Sequence, residues 1–114
     1  MQLLFKVVSA EPGMHIRILM EHVCRALKKQ NCVWQFSVSQ HSSSRVDGRV
    51  MLVSRAETSF LIFFYKLEAP NAAEGESLYA IDFGVKKQAN LCHLAVFDII
   101  TDVQNELLQE IKRA

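Results

Sequence analysis

Seven side chains of this 114-residue chain have ordinary pKa values nearest neutrality and suit nucleophilic, acid–base or metal chemistry: His15, His22, His41 and His93, with Cys24, Cys32 and Cys92. Nucleophilic catalysis needs a thiol or hydroxyl held by a base that a third group orients. Only Cys92 and His93 are adjacent, and neighbours at the start of a helix diverge in direction, which makes them a poor dyad. The cysteine and histidine spacings match no known metal-ligand set. The four glycines stand apart at 13, 48, 75 and 84, so no glycine-rich loop cradles a phosphate. The sequence therefore predicts no catalytic centre, no metal and no cofactor. Three cysteines without a close pair read as reduced, mostly buried thiols of an intracellular protein.

What remains is the set of elements that would carry a surface. Leu3, Phe5 and Val7 alternate with Gln2, Leu4, Lys6 and Val8, the period of a strand, and Pro12-Gly13 closes it as turn punctuation. From His15 the period changes. Ile16, Leu19, Met20, Val23, Ala26 and Leu27 recur at helical spacing, with Arg17, Glu21, Arg25 and Lys28 on the opposite stripe. Arg17–Glu21 and Glu21–Arg25 are spaced to pair on that exposed face, and Asn31 is the expected stop. Cys32 to Val38 reads as a strand with Cys32, Trp34, Phe36 and Val38 on one face. The polar stretch from Gln40 to Gly48 reads as a hairpin loop, and Arg49 to Arg55 as the next strand. The aromatic run Ser59 to Leu67 reads as a central strand, followed by a turn region from Ala69 to Glu76 and a strand from Leu78 to Val85. Asn90 is the expected cap for a closing helix with Val96, Ile100, Val103, Leu107 and Ile111 on its apolar stripe.

The length allows one domain, residues 1–114, and half the residues are hydrophobic, as a folded single core requires. Net charge is only +1, but residues 1–55 carry eight Lys/Arg against three acids and residues 56–114 five against nine, so the surface is expected to be polarised. No apolar run approaches the length of a bilayer span, and the start Met1-Gln2-Leu3-Leu4 lacks the features of a signal peptide. The expected location is cytoplasmic, with peripheral attachment to a membrane as the alternative.

The predicted architecture is α+β, with two helices packed on one face of a four- or five-stranded antiparallel sheet. Such a sheet normally shows polar residues on its other face. Here the central strand is apolar on both: Phe60, Ile62 and Phe64 on one, Leu61, Phe63 and Tyr65 on the other. Met51, Val53, Tyr79, Ile81 and Phe83 are expected to extend the Leu61 set across neighbouring strands. A contiguous apolar surface of this kind marks an interaction site, unless the N-terminal strand folds back over it.

These stretches resemble a kinase-associated-1 domain, a helix–four-strand–helix module at the C-terminus of several protein kinases, with the nearest likeness in the AMP-activated kinase alpha-subunit family. Leu19 to Trp34 carries the resemblance best, through Glu21, Val23-Cys24-Arg25-Ala26-Leu27-Lys28 and the tryptophan that opens the first strand of the module. Leu61 to Leu67, ending in Tyr65-Lys66-Leu67, and Leu78-Tyr79-Ala80-Ile81-Asp82-Phe83 add to it. The approach to the first helix is longer than in that family, and the last connection lacks the family's long Ser/Thr-rich insertion. The resemblance implies a non-catalytic regulatory module of a Ser/Thr kinase that works through contacts with a regulatory subunit or the kinase domain. The partner-binding residues expected from the strand pattern are Leu61, Phe63, Tyr65, Met51 and Val53, because docking needs desolvated apolar area more than charge.

The alternative function is membrane targeting, since some kinase-associated-1 domains bind acidic phospholipids through basic patches. Arg25, Lys28, Lys29, Lys86 and Lys87 are the candidates, with Arg17, Arg45, Arg49 and Arg55 as further cations. Each cation near an anionic leaflet contributes about 1 kcal/mol. Nucleic acid is not an expected partner, because the aromatics sit in apolar strands and are not interleaved with Lys/Arg.

Overall fold

A computed structural model of the chain describes residues 2–11, 13–37, 49–68, 70–85 and 93–113. In chain order the elements are β1 (Gln2–Val8), α1 (His15–Lys29), β2 (Val33–Ser37), β3 (Arg49–Arg55), β4 (Thr58–Leu67), β5 (Glu76–Gly84) and α2 (His93–Arg113). The five strands form one antiparallel sheet in the order β1-β5-β4-β3-β2, and two helices pack against it. The predicted hairpin loop at 40–48 and the predicted cap at Asn90 lie outside the described residues.

The topology follows from a single crossing. Strands β2 to β5 are consecutive neighbours, whereas β1 pairs with β5 at the far edge. Helix α1 carries the chain between the two edges and touches both β1 and β2. Its apolar stripe drives this placement: Leu19, Val23, Ala26 and Leu27 are fully buried, while Arg17, Glu21, Arg25 and Lys28 are exposed. The helix ends as the sequence predicts. Asn31 takes a left-handed φ of 57°, the Asn31 amide donates to the Lys28 carbonyl at 3.1 Å and the Cys32 amide to the Leu27 carbonyl at 3.0 Å. That pair of bonds is a Schellman stop, and asparagine tolerates its left-handed conformation better than most residues.

Helix α2 lies beside α1 and over β4. The core between helices and sheet contains Phe5, Phe60, Ile62, Phe64, Met51, Val53, Ile81, Val103 and Leu107, all at most 2% exposed. The β1 pattern alternates strictly between exposed and buried residues, with Leu3, Phe5 and Val7 pointing into this core. Strand β1 is therefore an edge of the sheet and does not fold back as a cover over its other face.

The register decides which apolar face is which. Ala56 and Glu57 form a two-residue turn, because Arg55 pairs with Thr58. From there Met51 falls opposite Ile62 and Val53 opposite Phe60. Across β5, Tyr79 pairs with Lys66, Ile81 with Phe64 and Phe83 with Ile62. Directly paired residues project to the same side of a sheet. Met51, Val53, Tyr79, Ile81 and Phe83 thus join the helix-covered face, not the Leu61 set as expected. Met51 and Val53 are 0% exposed and cannot contact a partner.

Candidate functional site

The face of the sheet away from the helices is built from the alternate residues of each strand. Strand β4 contributes Leu61, Phe63, Tyr65 and Leu67. Their direct partners are Leu52 and Val50 on β3, and Asp82, Ala80 and Leu78 on β5, with Gly84 across from Leu61. Strand β1 adds Leu4 opposite Ala80, Lys6 opposite Leu78 and Val8 opposite Glu76. Val33 on β2 sits at the far edge, across from Ser54. Leu61 and Phe63 are half-buried, while Leu4, Val8, Val33 and Tyr65 are exposed. No described residue covers these side chains.

Small residues shape the centre of this face. The rings of Phe63 and Tyr65 stack with centroids 6.4 Å apart and planes at 10°. A Cβ placed on Gly84 would come within 2.6 Å of the Phe63 ring, so the glycine leaves the space in which that ring lies. Ala80 is fully buried between Tyr65 and Leu4. At one end the surface opens into a cleft of about 500 Å³ lined by Leu67, Pro70, Ala72 and Leu78, together with Lys66, Glu68, Glu76 and Ser77. The charged residues on the outer side of β1 and β5 are Lys6, Glu76 and Asp82. Lys6 pairs with Glu76 at 3.7 Å, and the Gln2 side-chain amide donates to Asp82 at 3.3 Å.

The sequence-predicted partner residues thus divide. Leu61, Phe63 and Tyr65 are brought together on the uncovered face, whereas Met51 and Val53 are core. Leu4, Val50, Leu52 and Leu78 belong to the surface and were not singled out from the sequence. Their signal is positional, since each sits directly across from another member of the face.

The basic candidates have a different fate. Glu110 on α2 is 2% exposed, and His22, Arg25 and Lys29 of α1 converge on it. His22 Nδ1–H donates to Oε2 at 2.9 Å, Arg25 donates to the same oxygen at 3.1 Å, and Lys29 Nζ stands 3.5 Å from Oε1. The His22 hydrogen bond, reinforced by Arg25 and Lys29, holds the Glu110 carboxyl below the usual carboxylate range although burial pushes it the other way. The sequence reading passed over Glu110. Its signal was the spacing Val103, Leu107, Glu110, which puts a carboxylate on the buried stripe. Arg25 turns to Glu110, so the expected Glu21–Arg25 pair does not form, while Arg17–Glu21 does at 4.0 Å. Arg55 likewise pairs with Asp102 at 3.3 Å. Lys28 is exposed and makes no ion pair among the described residues. Lys86, Lys87 and Arg45 lie outside those residues.

The groups able to do chemistry stay apart. Ser9, His15 and Glu74 line one cleft, but the Ser9 hydroxyl is engaged with the Glu11 backbone and His15 Nε2–H donates to the Gly75 carbonyl at 2.7 Å. No hydrogen bond joins Ser9 to His15. Cys24 is half-buried, Cys32 is buried, and both are free thiols. Burial pushes both thiols up; at Cys32 the nearby Arg55 opposes that shift and Asp102 adds to it. Among the described residues no group of three or more His, Cys, Asp or Glu is placed to hold a metal ion, and no helix is long and apolar enough to cross a membrane. No family model matches the chain, and neither does any curated protein or any solved structure.

Proposed function

We propose that this chain is a non-catalytic docking domain whose uncovered sheet face receives a protein partner. The observation that carries the reading is the apolar surface centred on Leu61, Phe63 and Tyr65, which no described element covers. Contiguous apolar area of this kind on a folded domain is characteristic of an interaction site. The stacked Phe63 and Tyr65 rings are anchors of the type that dominates interface energy.

The resemblance to kinase tail modules supplies the biological setting of the proposal: a cytoplasmic regulatory module of a Ser/Thr kinase, with a kinase domain or a regulatory subunit as partner. After β1, the order helix, four strands, helix is the order that resemblance leads one to expect. The competing reading, recruitment to anionic phospholipid, loses support from geometry, because Arg25 and Lys29 are engaged with Glu110.

The test is site-specific photo-cross-linking in cells from an unnatural aromatic residue at position 65, with a second probe at Arg17 on the opposite side of the domain. Adducts from position 65 that vanish on Phe63→Lys support the docking reading. Equal labelling from both positions overturns it. Lysine is preferred to aspartate at position 63 because Asp82 lies directly across the strand. Co-sedimentation with phosphatidylserine vesicles that rises with anionic content and collapses in salt would favour the membrane reading.

A further inference from the structure

We infer that the outer sheet face closes against a second copy of this chain, forming a two-fold dimer in which two sheets pack face to face. The inference rests on the docking reading of that face and names its occupant in the isolated protein. A docking partner would then have to displace the second copy.

Area is the first argument. Five strands spaced about 4.8 Å apart, each about 20–25 Å long, make a face of roughly 500–600 Å² per copy. Closing two such faces removes roughly 1,000–1,200 Å² from water, at the lower limit of a specific, stable interface. Aligned sheets pack in this way at about 10 Å separation, side chains of the two inner faces interdigitating.

Charge is the second. An isologous interface sets each residue against the same surface on the partner, so any strong single-sign charge would meet itself. On the outer side of the three central and N-terminal strands the charged residues are Lys6, Glu76 and Asp82, and Lys6 already pairs with Glu76. That leaves Asp82, across from Phe63 and hydrogen-bonded by the Gln2 amide, as the one charge on these strands' outer side without an ion pair among the described residues, so the face carries no large single-sign field to repel its own copy. The helix surface, by contrast, exposes Arg17, Glu21, Arg25 and Lys28. At the centre, Phe63 and Tyr65 stack in parallel, which gives two rigid anchors at low cost in conformational entropy.

Sedimentation equilibrium over a micromolar to submillimolar series should give twice the 13.0 kDa chain mass. Phe63→Lys and, separately, Tyr65→Lys should weaken the dimer at least tenfold with an unchanged circular-dichroism spectrum. Leu108→Lys, on the exposed side of α2, should leave it intact. A 13.0 kDa monomer throughout overturns the inference. So does a dimer that survives both sheet substitutions, or one whose contact lies at the β1 edge, which hydrogen exchange would reveal as dilution-sensitive protection of the β1 amides not bonded to β5. A monomer that still cross-links a partner from position 65 removes the second copy but leaves the docking reading standing; a monomer with no adduct removes both.

Discussion

His22 on α1 and Glu110 on α2 meet through a 2.9 Å hydrogen bond in which the imidazole Nδ1–H donates to a carboxylate that is 2% exposed. With Arg25 and Lys29 this bond ties the helices together at a position where neither is held by apolar packing alone. Phe5 of β1 lies beneath, its ring 5.3 Å from that of His22, so the clamp also rests on the sheet.

Because the carboxyl of Glu110 is held below its ordinary range in the fold, the folded state binds its proton less readily than the unfolded chain. Its stabilisation is therefore complete above the unfolded value, about 4.3, and is lost as pH falls through the folded value. Glu110→Gln should cost about 1–3 kcal/mol at neutral pH, given that Arg25 and Lys29 can rehydrate, and should flatten the acid limb. Urea unfolding at neutral pH and again below pH 4 checks both. A variant whose acid limb matches the parent would show that Glu110 is not the group responsible.

Opposite sides of one sheet should respond differently to truncation. Met51 is 0% exposed beneath the helices, so Met51→Ala should destabilise by about 2–4 kcal/mol. Phe63→Ala, on the uncovered side, should cost only about 1 kcal/mol in the monomeric state. Thermal denaturation at low concentration separates them, and similar losses at both positions would contradict the register.

Among the described glycines, Gly75 should be the least replaceable. It has φ +82°, and a Cβ there would stand 2.9 Å from the Ser9 carbonyl oxygen, while its own carbonyl accepts from both the Ser9 amide and His15. Gly75→Ala should cost about 2 kcal/mol or more, combining left-handed strain with a backbone clash. At Gly84 the obstructing atom belongs to the half-exposed Phe63 ring, which can swing aside. Gly84→Ala should therefore cost less than Gly75→Ala in chemical denaturation, yet displace the Phe63 and Tyr65 ring resonances in NMR.

Ala56 sits at the first position of the β3–β4 turn with φ +56°, a conformation that costs an alanine about 1 kcal/mol or more relative to glycine. Ala56→Gly should accordingly stabilise the chain by about 0.5–1 kcal/mol, the gain being trimmed by the greater freedom of glycine in the unfolded state. An unchanged or lower denaturation midpoint would count against the turn geometry.

Much of the fold was legible without coordinates. Period-two alternation marked Leu3, Phe5 and Val7 as one face of β1, helical spacing marked Leu19, Val23, Ala26 and Leu27, and Asn31 marked the stop of α1. These are local signals, each decided by residues within a few positions of one another. The two apolar faces of β4 were equally plain in its sequence. Which neighbours join each face was not, since a shift of one residue in register carries every side chain of a strand to the other side. The β3–β4 turn, Ala56-Glu57, lacks the glycine or asparagine that announces a two-residue hairpin, so nothing local fixed Met51 opposite Ile62. Tertiary pairing alone buried Met51 and Val53 and left Leu61, Phe63 and Tyr65 uncovered. It also brought Arg25 and Lys29, still partly exposed, within ion-pair distance of Glu110, across 85 and 81 positions of sequence, because a carboxylate excluded from water is stable only where cations gather round it.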